Sequence, residues 1–397
     1  MAKSSAEQIR AWQGPALFSF GFRPFFFFGA VWVVLAMALW LPMLTGALSL
    51  PTRFDPISWH AHEFLFGYLG AVLAGFLLTA VPNWTGRLPM VGWRLAALFG
   101  LWVAGRAALM VSALLPVGLG AAIDLGFPIV LGAMILREIV AGKNWRNLIV
   151  LALLTVFTLA NGLFHRDALL GAFAAQGIGM RLGLATALMM IAVIGGRIIP
   201  SFTRNWLARR DTTVRPAPPM QRFDKLVLVA SLLALAFWVA RPDGPLTGAA
   251  LLGFGALHLA RLTRWQGHHT LSEPLVWVLH VAYGFIPLGA FALGLEQLTG
   301  LFGIAAAQHL WMAGAIGAMT LAVMTRATLG HTGQTLSADK VTVLIYLSLF
   351  GSVLARLAMG QWPDLAQLSG ALWIAAFAGF ALGYGRALLC PKPDKTR

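Results

Sequence analysis

An all-α, polytopic transmembrane bundle of about twelve spans is the fold this sequence predicts. Three observations carry that reading. Only 11% of the residues are charged, against roughly 25% in a soluble domain, so the chain lacks the polar surface of a water-soluble globule. Apolar runs of about 20 residues, the length of a membrane-crossing helix, recur along the whole chain. The weak alternating runs of a membrane barrel do not occur, and helices satisfy their own backbone groups in lipid.

Taken in order, the spans are expected near 24–44, 61–82, 93–115, 119–137, 147–164, 177–199, 224–240, 246–262, 273–294, 302–325, 340–358 and 366–389. They form one integral membrane domain over 1–397, with a polar tail at 1–23, a linker near 200–223 and a tail at 390–397. The linker contains APPMQ, whose prolines cannot continue a helix. The first apolar run is too long and too late for a cleaved signal. Loops alternate between basic and nearly neutral. The basic set carries Arg87, Arg94, Arg137, Lys143, Arg146, Arg261, Arg264, Arg326 and Lys340, together with six arginines after the sixth span. The positive-inside rule then places both termini in the cytoplasm. A net charge of +15 distributed in this way answers to a lipid bilayer and excludes nucleic acid as the partner.

A weak repeat accompanies the spans. The second ends in VPNWTGR and the sixth in IPSFTRN, while the tenth ends in LGHTG. A period of four helices would make three arcs of four. Proline and glycine also end helices without any repeat, so both explanations stand at this stage.

Polar residues inside the spans are the candidate functional groups, because each charge at mid-membrane costs roughly 2.5–3.5 kcal/mol on insertion scales. SWHAHEF places His60, His62 and Glu63 at the outer end of the second span. His309, beside Gln308, enters about 10 Å below the same face. Arg181 lies one turn inside the sixth span. Arg106 lies deep in the third and needs a partner, for which Glu63, Asp124 or a ligand's carboxylate would serve. His280 and His331 form a lower set. His258, His268 and His269 are expected at solvated loops or helix ends.

Imidazole is the common protein ligand for copper and for haem iron. His60 and His62 cannot meet at one point from a regular helix, but they can from an irregular first turn, with His309 as a third ligand. Arg106 and Arg181 are candidate anchors for haem propionates. The single cysteine, Cys390, excludes an intramolecular disulfide and a C-x-x-C-H attachment, so any haem is held non-covalently.

The motifs SFGFRPFF, WHAHEFLFG, GFLLTAVPNWTGRLP, GGRIIPSFTRNWL, LHVAYGFIPLG and MTLAVMTRATLGHTG together resemble the NnrS family of haem- and copper-containing bacterial inner-membrane proteins linked to nitric oxide stress. The resemblance runs through most of the chain. Phe64 stands where the family motif has methionine. The family's motif histidines correspond to His60, His62, His280, His309 and His331, and His165, His258, His268 and His269 fall outside the motifs. The resemblance implies a non-covalent haem b, copper and nitric oxide, with an electron donor the sequence does not identify. Sorted by depth, His60, His62 and His309 are expected to hold copper. His280 is the expected haem ligand, with His331 next. The implied activity is nitric oxide binding in nitrosative-stress protection and denitrification, extending to an oxidoreductase that forms N2O, with Glu63 relaying protons. The rival readings are sequestration without turnover, and transport of copper or a small anion.

Overall fold

The computed structural model describes residues 12–86, 89–210, 212–301 and 303–391. Arg87 of the basic loops lies outside them. Among the described residues there is no strand, and twelve long helices follow one another. They are α1 (Phe22–Leu44), α2 (Pro56–Thr85), α3 (Trp93–Met110), α4 (Leu119–Ala141), α5 (Leu148–Leu169), α6 (Ile178–Ala208), α7 (Arg222–Ala240), α8 (Pro245–Thr263), α9 (Pro274–Thr299), α10 (Ile304–Thr332), α11 (Lys340–Ala358) and α12 (Leu365–Leu389). Eleven are long and apolar enough to cross a membrane. The twelfth, α3, carries both Arg94 and Arg106.

The spans expected from sequence reappear as these helices, and the differences have physical causes. Helix α2 begins at Pro56, where Asp55 Oδ1 accepts the backbone N–H of Ile57 at 3.0 Å and of Ser58 at 2.9 Å. An aspartate cap followed by proline is a strong helix start. His60 and His62 therefore lie on a regular helix (Pro56–His62), and the expected irregular first turn is corrected. Helix α6 runs through Pro200 to Ala208. Gly196, Ile199, Pro200, Thr203 and Leu207 are buried at helical spacing, so packing offsets the backbone bond that proline removes. The linker shortens accordingly to 209–221. Helix α10 reaches Thr332, which puts His331 in its last turn.

Among the described residues, helices α2, α6 and α10 share a character no other helix has. Each contains a π segment, at Glu63–Tyr68, Ile191–Gly195 and Leu310–Gly317. They are also the most enclosed, with 83%, 72% and 72% of their apolar windows buried. These are the helices on which the sequence repeat falls, and a four-helix period is therefore physical.

The chain forms two compact units. The first holds the chain up to Gly183 with Ala327–Gln334 and the segment from Phe380; the second holds Leu184–Arg326 and Thr335–Gly379. In the first, Phe22, Phe25, Phe26, Trp59 and Phe164 are fully buried. Arg23 donates to the carbonyls of Leu388 (3.2 Å) and Cys390 (2.7 Å), satisfying orphan groups at the end of α12. In the second, α8 and α9 cross at two glycines. A Cβ on Gly248 would lie 2.8 Å from the Gly294 carbonyl oxygen, and one on Gly294 would lie 2.9 Å from that of Gly248. Without a hydrophobic drive between helices in lipid, such close approach supplies the packing energy.

Gly294→Leu is therefore expected to destabilise the detergent-purified protein by about 1–3 kcal/mol, read as a lowered thermal midpoint. Gly253→Leu, on the open face of α8, should leave the midpoint unchanged.

Candidate metal centre

The first unit contains an ionic core built by four helices. The π segment of α2 starts at Glu63, so the turn widens where the carboxylate must face inward. Arg106 of α3 reaches it, with Nη1 2.7 Å from Glu63 Oε2. Trp32 Nε1 of α1 donates to the same oxygen at 2.8 Å. Arg106 Nη2 pairs with Asp124 Oδ1 of α4. Glycine at 67 keeps the space open, because a Cβ there would meet Arg106 Nη1 at 2.4 Å. The Gly67 carbonyl, within the π segment, accepts Trp102 Nε1 at 2.9 Å.

Around Asp124 three further side chains converge. Asp124 Oδ2 accepts Asn161 Nδ2 at 2.7 Å and His165 Nε2 at 3.0 Å, and His62 Nε2 lies 3.3 Å away. His62 Nε2 also faces Asn161 Oδ1 at 2.9 Å, and its Nδ1 faces Glu63 Oε1 at 3.1 Å. All six polar residues of this core are buried, His62 and Glu63 completely. Both nitrogens of His62 face acceptors, so both carry protons and the ring is an imidazolium. Two cations, Arg106 and His62, then balance two anions, Glu63 and Asp124. One ligand atom from each of His62, Asp124 and His165 lies within 4.8 Å of the others. That donor set, two imidazoles and one carboxylate in a dry site, can hold a divalent transition metal. The same cluster can hold a proton when it holds no metal.

The remaining expected site residues lie as follows. His60 does not join His62. Two residues apart on a regular helix, the rings point to different faces, and His60 stacks on Trp40 at 4.1 Å with Phe64 at 4.3 Å. Phe64 thus takes up the methionine position with a ring contact. His309 belongs to the second unit, where its Nδ1 donates to the Ala305 carbonyl at 2.7 Å. Arg106 found both carboxylate partners named for it in the sequence, and is not free to anchor a propionate. Arg181 Nη1 donates to the Gln176 carbonyl at 2.6 Å. Glu63, expected at the outer end of the second span, is fully buried and paired with Arg106.

His280 is buried with Nε2 2.8 Å from Thr203 Oγ1. Gly267 packs on its other nitrogen, since a Cβ there would lie 2.5 Å from Nδ1. The Nδ1 atom has no hydrogen-bond partner and lies against Gly267, so iron would reach it only if Gly267 moved. His331 is exposed, with its ring against Phe20 (5.3 Å) and Phe22 (5.4 Å). His268 and His269 are exposed, as expected. His258 is not at a solvated end. It is fully buried, between Ser231 and Tyr283, because α8 continues to Thr263 and carries Arg261 inward with it.

Sequence reasoning missed His165 and Asn161. Their spacing of four along an otherwise apolar helix puts both on one face, and that was the available signal.

A fold of twelve long helices, eleven of them long and apolar enough to cross a membrane, around a buried cluster of two histidines and an aspartate that could hold a metal ion, defines a polytopic membrane protein. The chain matches the family described as NnrS protein over residues 16–392 and belongs to that family. No curated protein matches it.

Removing Arg106 strands two buried carboxylates. Arg106→Met is expected to cost about 3–5 kcal/mol, whereas Glu63→Gln leaves the guanidinium paired with Asp124 and should cost less. Thermal unfolding in detergent checks the order; equal midpoints for the two variants would contradict it.

Proposed function

We propose that this protein is an inner-membrane metalloprotein of nitric oxide defence, with copper held by His62, Asp124 and His165. The observation that carries the proposal is the convergence of these three donors beside an internal ion pair. Family membership supports the link to nitric oxide. Copper suits the donor set, since N and O ligands bind it more tightly than neighbouring divalent metals. When bound, copper supplies a one-electron centre to which nitric oxide can coordinate.

The chain's own residues do the rest. His62 must lose the Nε2 proton to become a ligand, so a divalent cation entering the site would raise its net charge by one rather than two. Asn161 holds Asp124 Oδ2 and His62 together through its amide. Glu63 Oε1 is the next acceptor along His62 and can take or return a proton at Nδ1. Arg106 and Trp32 fix its other oxygen. Forming N2O from two nitric oxide molecules consumes two electrons and two protons, and the His62–Glu63 pair is a proton store at the right atom. For haem b, His331 is the candidate, because its ring is exposed and packs beside Phe20 and Phe22, the apolar surroundings a haem needs. The charge bias of the loops favours a cytoplasmic side for both termini.

Metal and haem analysis of purified variants tests the assignment. His62→Ala and His165→Ala should lose copper, while His60→Ala and His309→Ala keep it. His331→Ala should lose haem and His280→Ala retain it. Copper that persists in His165→Ala but disappears in His60→Ala would overturn the site.

A further inference from the structure

The second unit has a buried polar network of its own, which the copper site does not use. Asp224 of α7, Arg261 and His258 of α8 and Tyr283 of α9 are all buried, as is Ser231 of α7. Arg261 Nε donates to Asp224 Oδ1 at 2.8 Å, and Nη1 donates to the Ala192 carbonyl in the π segment of α6 at 2.8 Å. The two charges balance. A second buried cation beside them would be costly, so His258 is neutral and carries one ring proton.

The hydrogen bonds say which nitrogen carries it. Ser231 has one proton and gives it to the Val227 carbonyl, four residues back, at 2.6 Å. Its oxygen then accepts from His258 Nε2 at 2.7 Å. With the proton on Nε2, Nδ1 is bare. Nδ1 lies 2.7 Å from Tyr283 Oη, so the phenol donates to it. Arg261 Nη1 donates to the same phenol oxygen at 3.1 Å. Tyr283 is thus a phenol hydrogen-bonded to a base, in a site shielded from water.

We propose that Tyr283 is a redox-active tyrosine, oxidised by a one-electron metal oxidant with His258 taking its proton. The oxidant gains one electron. The phenol O–H bond breaks, an N–H bond forms at His258 Nδ1, and a neutral phenoxyl remains. Return of the electron and proton restores the phenol. An oxidised phenol is so strong an acid that its proton passes to the base already in hydrogen-bond contact, which offsets the cost of a second cation beside Arg261. Phe254, whose ring lies 4.5 Å from His258, offers a π face to the imidazolium that forms. Trp265, 4.5 Å from the Tyr283 ring, is the adjacent aromatic through which the electron can leave. Tyr346 differs, because its hydroxyl is shared with Thr325 at 2.6 Å, and a hydroxyl is a poor base.

The test is photo-oxidation of the purified protein by tris(bipyridine)ruthenium(III), generated with persulfate, followed by electron paramagnetic resonance. The wild type should give a phenoxyl signal that narrows when the chain's 4 tyrosines are ring-deuterated. The signal should form more slowly in D2O than in H2O. Tyr283→Phe should lose it and Tyr346→Phe keep it. His258→Gln, which can still hydrogen-bond but is no base, should lose most of the yield. A signal that survives Tyr283→Phe, a wild-type yield in His258→Gln, or equal rates in H2O and D2O for the wild type would each overturn the proposal. The isotope measurements use the wild type, so they can overturn the proposal even if a variant fails to fold.

Discussion

The clasp of Arg106 between Glu63 and Asp124 is the constraint from which the first unit follows. A guanidinium buried in a membrane protein persists only if its charge is paired. Meeting that demand sets the position of three helices. Helix α2 widens into a π segment so that Glu63 can face α3, and Gly67 leaves the room that the guanidinium needs. Trp102 and Trp32 then satisfy the groups the widened turn exposes. Asp124, held by Arg106 through one oxygen, offers the other to His62, Asn161 and His165. The ion pair thus holds the carboxylate that organises the histidines.

A related solution recurs with its signs exchanged. In the first set of four helices, arginine lies on α3 and aspartate on α4; in the second, aspartate lies on α7 and arginine on α8. Each arginine also contacts a π segment and a small residue, Gly67 in one case and Gly196 in the other. In the third set, Ser352 of α11 and Ser369 of α12 bond to each other's carbonyls at 2.8 Å and 2.9 Å. Neutral groups there fill the place of the ion pair. A repeated backbone plan with differing polar pairs gives one site rich in metal ligands and another in which a tyrosine meets a histidine.

Much of the fold was legible because apolar runs of membrane length leave few alternatives. The repeat was visible at three helix ends, although its real mark, the π segments, has no sequence signature strong enough to read. Arg106 demanded a carboxylate from its depth alone, and Glu63 and Asp124 were both named. The site around them was harder. His60 and His62 looked like a pair because they are close in sequence, but a helix well capped at Asp55 turns their rings apart. His165 was passed over because it falls outside the motifs that carry the family resemblance, although it lies four residues from Asn161 on one helix face. His258 was misplaced for a different reason. Arg261 and Arg264 made the end of α8 read as a loop, whereas Asp224 draws Arg261 into the core.

The ionic core is a structural clasp and, as proposed, a metal site, with a proton on His62 standing where the metal would bind. X-ray absorption at the copper edge of the copper-loaded protein tests this most directly. The account predicts a first shell of nitrogen and oxygen alone, with the multiple-scattering signature of two imidazoles. A sulfur neighbour, or a shell with a single imidazole, would contradict it.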